Sequence, residues 1–150
     1  MSDAIDKPIE RVLETYRSAV YARDADALLR LYDADVRVFD TWGVWSYEGA
    51  EAWRRSVEGW FASLGQERVK VAFDDVRVSG GREWSVLSAV VTYAGFSAQG
   101  EALRSMQNRL TWALKTIGHV PRIVHEHTSA PIGFDDTKAI LLRAAAKPRA

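Results

Sequence analysis

The sequence predicts an α+β fold, and two observations carry that prediction. Apolar residues recur at helical spacing before residue 69 and in strand-like alternation after it, and the second half is punctuated by short turn signals. Helices first and hairpin-linked strands afterwards is the α+β order. The short connections require antiparallel neighbours, because a parallel crossover needs a dozen or more residues. The expectation is three helices packed on a bent antiparallel sheet, with residues 1–150 read as one domain.

Each element has its own signal. Residues 1–6 read as loose, and Pro8 suits the first turn of a helix running to residue 22. Its apolar stripe is Ile9, Val12, Leu13, Tyr16 and Val20, so the Tyr16 phenol lies on the buried face. Arg23-Asp24-Ala25-Asp26 interrupts that helix, and Asp24 is a fitting N-cap for a short helix over 25–32. Val36-Arg37-Val38-Phe39-Asp40 alternates, which puts Val36, Val38 and Asp40 on one face of a strand. After an aromatic loop, Gly49 leads into a third helix over 50–64, carrying Trp53, Val57, Trp60, Phe61 and Leu64 on one face.

From Val69 the period is two. Alternation over 69–73 resumes at Val76 and Val78 after a break at Asp74-Asp75, and Ser79-Gly80-Gly81 makes a turn. Strands follow over 84–93, 103–116 and 123–128, separated by a loop at 95–100 and a turn at 118–121, and Pro131 closes the last. The 84–93 strand is apolar on both faces. Helices cover only one face of a sheet, so a second subunit is expected on the other, making a homodimer. Residues 138–146 have helix-forming composition and a small apolar patch, and read as a frayed terminal helix.

Composition removes several function classes. Lysine plus arginine and aspartate plus glutamate are 20 each, so there is no basic excess to neutralise nucleic-acid phosphates. No apolar run approaches the ~20 residues of a membrane span and the N-terminus lacks a signal-peptide pattern, which points to the cytoplasm and away from membranes. Cysteine is absent, which removes disulfides, thiol nucleophiles and thiolate metal sites. No phosphate loop, dinucleotide fingerprint or nucleophile elbow is present, and no cofactor is expected.

What remains is a pocket. A carboxyl turned inward has its charged form disfavoured, its pKa rises, and it becomes a base near neutral pH. Asp40 fits that description, and it equally fits an acid closing the turn before Trp42-Gly43. Trp42, Trp45, Trp53 and Trp60 crowd one stretch with Tyr47 and Phe61, as core residues or as the wall of a cavity for a flat ligand. His125 and His127 share one strand face. Their i, i+2 spacing is a weak metal motif without a further ligand, and no metal site is expected. Alternation puts Leu110, Trp112 and Leu114 inward, so Arg109 and Thr111 should point outward.

The block Tyr16-Arg17-Ser18-Ala19-Val20-Tyr21-Ala22-Arg23-Asp24-Ala25-Asp26-Ala27-Leu28 is followed by Leu31-Tyr32-Asp33-Ala34-Asp35-Val36, then by Phe39-Asp40 and Gly49. Together they resemble the first half of the nuclear transport factor 2-like superfamily, which holds SnoaL-like proteins and ketosteroid isomerases. Arg109-Leu110-Thr111-Trp112 and Ile123-Val124-His125-Glu126-His127-Thr128-Ser129-Ala130-Pro131 are similar to the second half. The resemblance covers about residues 8–134 and leaves 135–150 as a tail. It implies a cone-shaped, bent antiparallel sheet wrapped on the N-terminal helices, a cystatin-like roll. It also implies roles: Asp40 as the proton-shuttling base and Tyr16 as the oxyanion donor. At the family's neutral acid stands Thr111, a weaker partner for an enolate. The same comparison turns Arg109 and Thr111 toward the pocket, against the alternation. There an arginine would select an anionic ligand. It also lines the cavity with the Val124, Glu126, Thr128 face, making Glu126 a buried pocket acid and leaving the histidines to the dimer.

Three functions follow. One is a cofactor-independent isomerase, cyclase or dehydratase in which Asp40 moves a proton next to a carbonyl and Tyr16 holds the oxyanion. Another is a non-catalytic binder of a small anionic or aromatic ligand, anchored by Arg109 and held by Trp42 and Trp60. The last is an oligomerisation module.

Overall fold

The computed structural model describes residues 5–143. Helix α1 (Lys7–Ala22) carries Pro8 in its first turn and buries Ile9, Val12, Leu13, Tyr16, Ala19 and Val20, the stripe its spacing predicts. It ends at Arg23 in the left-handed conformation (φ 55°). Asp24 then caps α2 (Ala25–Leu29) by accepting the Ala27 N–H at 3.1 Å. That helix stops short of residue 32, because Tyr32 opens the first strand, β1 (Tyr32–Phe39). A two-residue strand, β2 (Tyr47–Glu48), pairs back onto β1 before α3 (Ala50–Ser63).

Four long strands follow: β3 (Arg68–Gly80), β4 (Trp84–Phe96), β5 (Ala102–Ile117) and β6 (Val120–Ser129). The break expected at Asp74-Asp75 is a bulge within one continuous β3, with Asp75 at φ 52°. The six strands run in the order β2-β1-β6-β5-β4-β3 in one curled, unclosed sheet. All hairpin-linked pairs are antiparallel as expected, but β1 lies parallel to β6, so the sheet is mixed. The short-loop argument does not govern that pair, since most of the chain runs between the two strands.

The helices fill the hollow of the curl: α1 packs on β3, and α3 packs on β1 and β2. One core joins both halves, with Val20, Val36, Val38, Leu87, Val91, Trp112, Leu114 and Ile123 fully enclosed. No described helix is long and apolar enough to cross a membrane.

The tail departs from its helical reading over the residues described. Ile132 pairs with Ala139, the Ile140 N–H donates to the Pro131 carbonyl and the Gln107 N–H to the Leu141 carbonyl, so residues 138–143 bond to distant partners and form no helix. Residues 1–4 and 144–150, which include part of the loose N-terminus and the end of the expected helix, lie outside the described residues.

Candidate functional site

Between the helices and the sheet lies a cavity of about 470 Å³. Its walls are largely aromatic: Tyr16 from α1, Trp53 and Trp60 from α3, Tyr93 from β4, and Trp42 and Tyr47 from the segment after β1. Trp42 is 55% exposed and forms part of the rim. Against this apolar lining stand a few polar groups, Asp40, Glu126, Asn108 and Arg104. Few polar groups converging in an apolar hollow is the usual form of a small-molecule site.

Asp40 follows directly on β1, in phase with the buried Val36 and Val38. Its Oδ1 accepts the Thr128 hydroxyl at 3.1 Å, and its Oδ2 accepts the Trp42 N–H at 3.3 Å. Burial raises its pKa, while the bonds from the Thr128 hydroxyl and the Trp42 N–H oppose the rise. Tyr16 reaches the same cavity from the opposite element. Its hydroxyl lies 2.9 Å from that of Tyr93, and its ring packs edge-on to Phe73 at 5.6 Å. Burial pushes both phenols well above their ordinary range, so both stay protonated and one of the pair has a proton to donate elsewhere.

Glu126 is a second acid on the cavity wall, 1% exposed. Its Oε1 accepts both the Tyr32 hydroxyl (2.5 Å) and the Trp112 indole N–H (2.8 Å). Burial pushes its pKa up to about 7, the two donors pull it down, and the nearby Asp40 carboxylate adds to the rise. A bulge in β6 explains how it comes to face inward. Ala113 pairs with His125 and Leu114 with Ile123, leaving Val124 as the extra residue. Ile123, Glu126 and Thr128 therefore all point inward, whereas Val124, expected on that face, does not line the cavity.

Arg109 and Thr111 are the corrections. Both are exposed on the outer face of the sheet, and Arg109 donates to the Ser129 hydroxyl at 3.0 Å. Leu110, Trp112 and Leu114 are buried, so the local alternation prevails over the family comparison that turned the pair inward. The arginine that does reach the cavity is Arg104, ion-paired to Glu67 at 2.5 Å, which leaves no unpaired cation there from either residue. His125 and His127 are also outside. The His125 Nδ1–H donates to the Arg37 carbonyl at 2.8 Å, and Phe39 packs edge-on against both rings.

Trp42 and Trp60 line the cavity, together with Tyr93 and Asn108, which the sequence reading did not single out. Their signal was present: Tyr93 continues the inward series Leu87, Ala89, Val91, and Asn108 continues Leu114, Trp112, Leu110. Tyr32 carries no such signal, because its place after Asp24 reads as the end of a short helix.

A family profile described as a SnoaL-like domain matches residues 9–133. No curated protein matches the chain. Among solved structures, a nuclear transport factor 2-like protein of unknown function from Pseudomonas putida KT2440 is similar at 21% identity and a TM-score of 0.80, over 99% of each chain. A protein from Xanthomonas campestris named as a candidate calcium/calmodulin-dependent protein kinase II association domain is similar at 17% identity and a TM-score of 0.72, over 86% of this chain and 89% of that one. A candidate aromatic ring hydroxylase from Novosphingobium aromaticivorans is similar at 16% identity and a TM-score of 0.64, over 81% and 85%.

Proposed function

Since the chain belongs to the SnoaL-like domain family, whose fold points to small-molecule binding or isomerase-type chemistry, we propose that its cavity is a cofactor-independent proton-transfer site for a small cyclic ketone. The observation that carries this reading is the meeting, in one aromatic hollow, of a partly buried carboxylate and a pair of phenols from distant elements. Asp40 takes the proton from the carbon beside the carbonyl, and the negative charge moves onto the carbonyl oxygen. The Tyr16–Tyr93 pair donates a hydrogen bond to that oxygen. Asp40 then returns the proton, at another carbon for an isomerisation or to a departing hydroxyl for a dehydration. Glu126 fits the place of a neutral acid that Thr111 cannot fill, since a carboxyl with pKa about 7 is largely protonated in slightly acid solution.

Deuterium exchange from D2O into 2-tetralone, followed by NMR, tests this without knowledge of the natural substrate. The wild type should exchange the protons next to the carbonyl, and Asp40→Asn should abolish exchange while keeping tetralone affinity. Tyr16→Phe should slow exchange by at most about a thousandfold, the cost of one oxyanion donor. A wild type that binds tetralone but exchanges it no faster than Asp40→Asn would favour a binder instead. The Trp42 N–H on Asp40 supports that second reading, with the acid serving as a turn cap.

A homodimer through the outer sheet face accompanies the proposal. Trp84 and Val86 are 51% and 46% exposed on that face of β4, and the Xanthomonas campestris protein's name as an association domain supports self-assembly.

A further inference from the structure

We infer that Thr128 is a positioning residue for Asp40: held in place by Thr41, it fixes the carboxylate through Oδ1 and leaves Oδ2 as the oxygen that meets a ligand. This rests on the reading of Asp40 as the working acid of the cavity. It gives Thr128, which the family resemblance places only on the cavity face, a specific role, and it adds Thr41 and Asn108 behind it.

The argument is one of hydrogen counting. A threonine hydroxyl has one proton to give and two lone pairs to receive. Thr128 Oγ1 receives twice from the same neighbour, from the Thr41 N–H at 2.8 Å and from the Thr41 hydroxyl at 2.9 Å. Its own proton is therefore committed to the remaining partner, Asp40 Oδ1, at 3.1 Å. Thr41 has spent its proton on Thr128, so its remaining contact, with Asn108 Nδ2 at 3.5 Å, runs from the amide to the hydroxyl. The chain is thus directional: Asn108 to Thr41 to Thr128 to Asp40, each member donating to the next. Such chains polarise in the direction of the final acceptor, here a carboxylate.

Burial makes the arrangement rigid. Thr128 is 4% exposed and Asn108 6%, so water does not compete freely for these bonds. The four residues come from the end of β1, from the start of the aromatic loop, from β5 and from β6. The chain therefore pins the base to the sheet as well as to its own segment. Oδ2 holds only the longer contact with the Trp42 N–H, at 3.3 Å. It keeps a lone pair for a proton taken from a ligand. Without Thr128 the carboxylate would be held only by the longer Trp42 bond, and it would lose the strongest donor favouring its charged form.

Other ionisable groups share the cavity with Asp40: Glu126 on β6, Tyr93 on β4, Tyr16 on α1, Tyr47 on β2 and Arg104 on β5. The facing residues of α3, such as Trp53, Ser56 and Trp60, carry no charge. Glu126 is a second carboxyl with a raised pKa on the same wall, so the test must resolve Asp40 by itself.

The experiment is a carbon-13 NMR titration of the Asp40 carboxyl in the ligand-free protein, comparing wild type, Thr128→Val and Thr128→Ser. Valine keeps the shape of threonine and removes the donor, whereas serine keeps the donor. Thr128→Val should move the Asp40 midpoint up by about one pH unit, as expected for losing a hydrogen bond to the charged form, and Thr128→Ser should restore it. A folded Thr128→Val with an unmoved midpoint would overturn the inference, as would a Thr128→Ser displaced as far as the valine variant. If Thr128→Val does not fold, Thr41→Val replaces it, with an upward shift expected and an unmoved midpoint again decisive against. The midpoint is read without substrate. Unchanged tetralone exchange in Asp40→Asn would sink the proton-transfer reading and leave the Thr128 result standing.

Discussion

Glu126 shows what a single buried side chain costs and permits. Its carboxyl has an ordinary pKa of 4.5 and is raised to about 7 in the fold, first by burial. The folded protein therefore holds a proton between those values that the unfolded chain has already released. Stability then falls as pH rises through that window and levels off above it. The loss amounts to roughly 3 kcal/mol at most. Glu126→Gln keeps an acceptor for Tyr32 and Trp112 without a titrating group, so its stability should fall clearly less over the same window. Urea unfolding followed by tryptophan fluorescence from pH 4.5 to 8 checks this, and parallel curves for the two proteins would refute it. Residue-level reading of the sequence worked where neighbours agree: Tyr16 and Asp40 sit in phase with buried stripes, and both reach the cavity. Arg109 is the opposite case: the family resemblance turns it to the pocket against the alternation of its neighbours, and the fold keeps it outside, where that alternation puts it.

At the scale of elements, turns and bulges decide which residues a strand presents. The β3–β4 hairpin depends on Gly80, whose φ of 127° favours glycine and whose position leaves no room for a side chain. A Cβ there would come within 2.4 Å of the Trp84 carbonyl oxygen, an atom of the backbone that cannot swing aside. Gly80→Ala should therefore destabilise the fold by more than about 1 kcal/mol. Gly81→Ala, with open space around it, should cost much less. Chemical denaturation midpoints for the two variants provide the comparison, and equal losses would count against the steric argument. The Gly80-Gly81 turn was legible from composition. The Val124 bulge was not, because nothing in a run of Ile123-Val124-His125-Glu126 marks which residue will be the extra one.

At the scale of the whole molecule, the helices cover one side of the sheet only. The outer side carries Trp84, Val86, Ile117 and Val120 in partial exposure toward the β3–β4 and β5–β6 turns. Burying these residues in a second copy would remove apolar surface from water at about 25 cal/mol per Å². Sedimentation at micromolar concentration should find a dimer, and Trp84→Lys combined with Val86→Lys should give a folded monomer. A wild-type monomer under those conditions would remove the outer face as an interface.

The sequence by itself determined the kinds and order of the three helices and the five longer strands, the change of apolar period near Val69, the buried stripe of α1 and the inward phase of Asp40, but neither the short β2 nor the non-helical tail. These are consequences of local chain geometry, because a helix repeats every 3.6 residues and a strand every two, whatever they pack against. Tertiary structure alone decided the rest. It set β1 parallel beside β6, shifted the phase of β6 at Val124, and brought Tyr16 to Tyr93 across 77 residues and Thr128 to Asp40 across 88. Those features depend on register between segments far apart in the chain. A periodic pattern specifies a face, but the partner opposite that face is chosen only when the sheet closes on its helices.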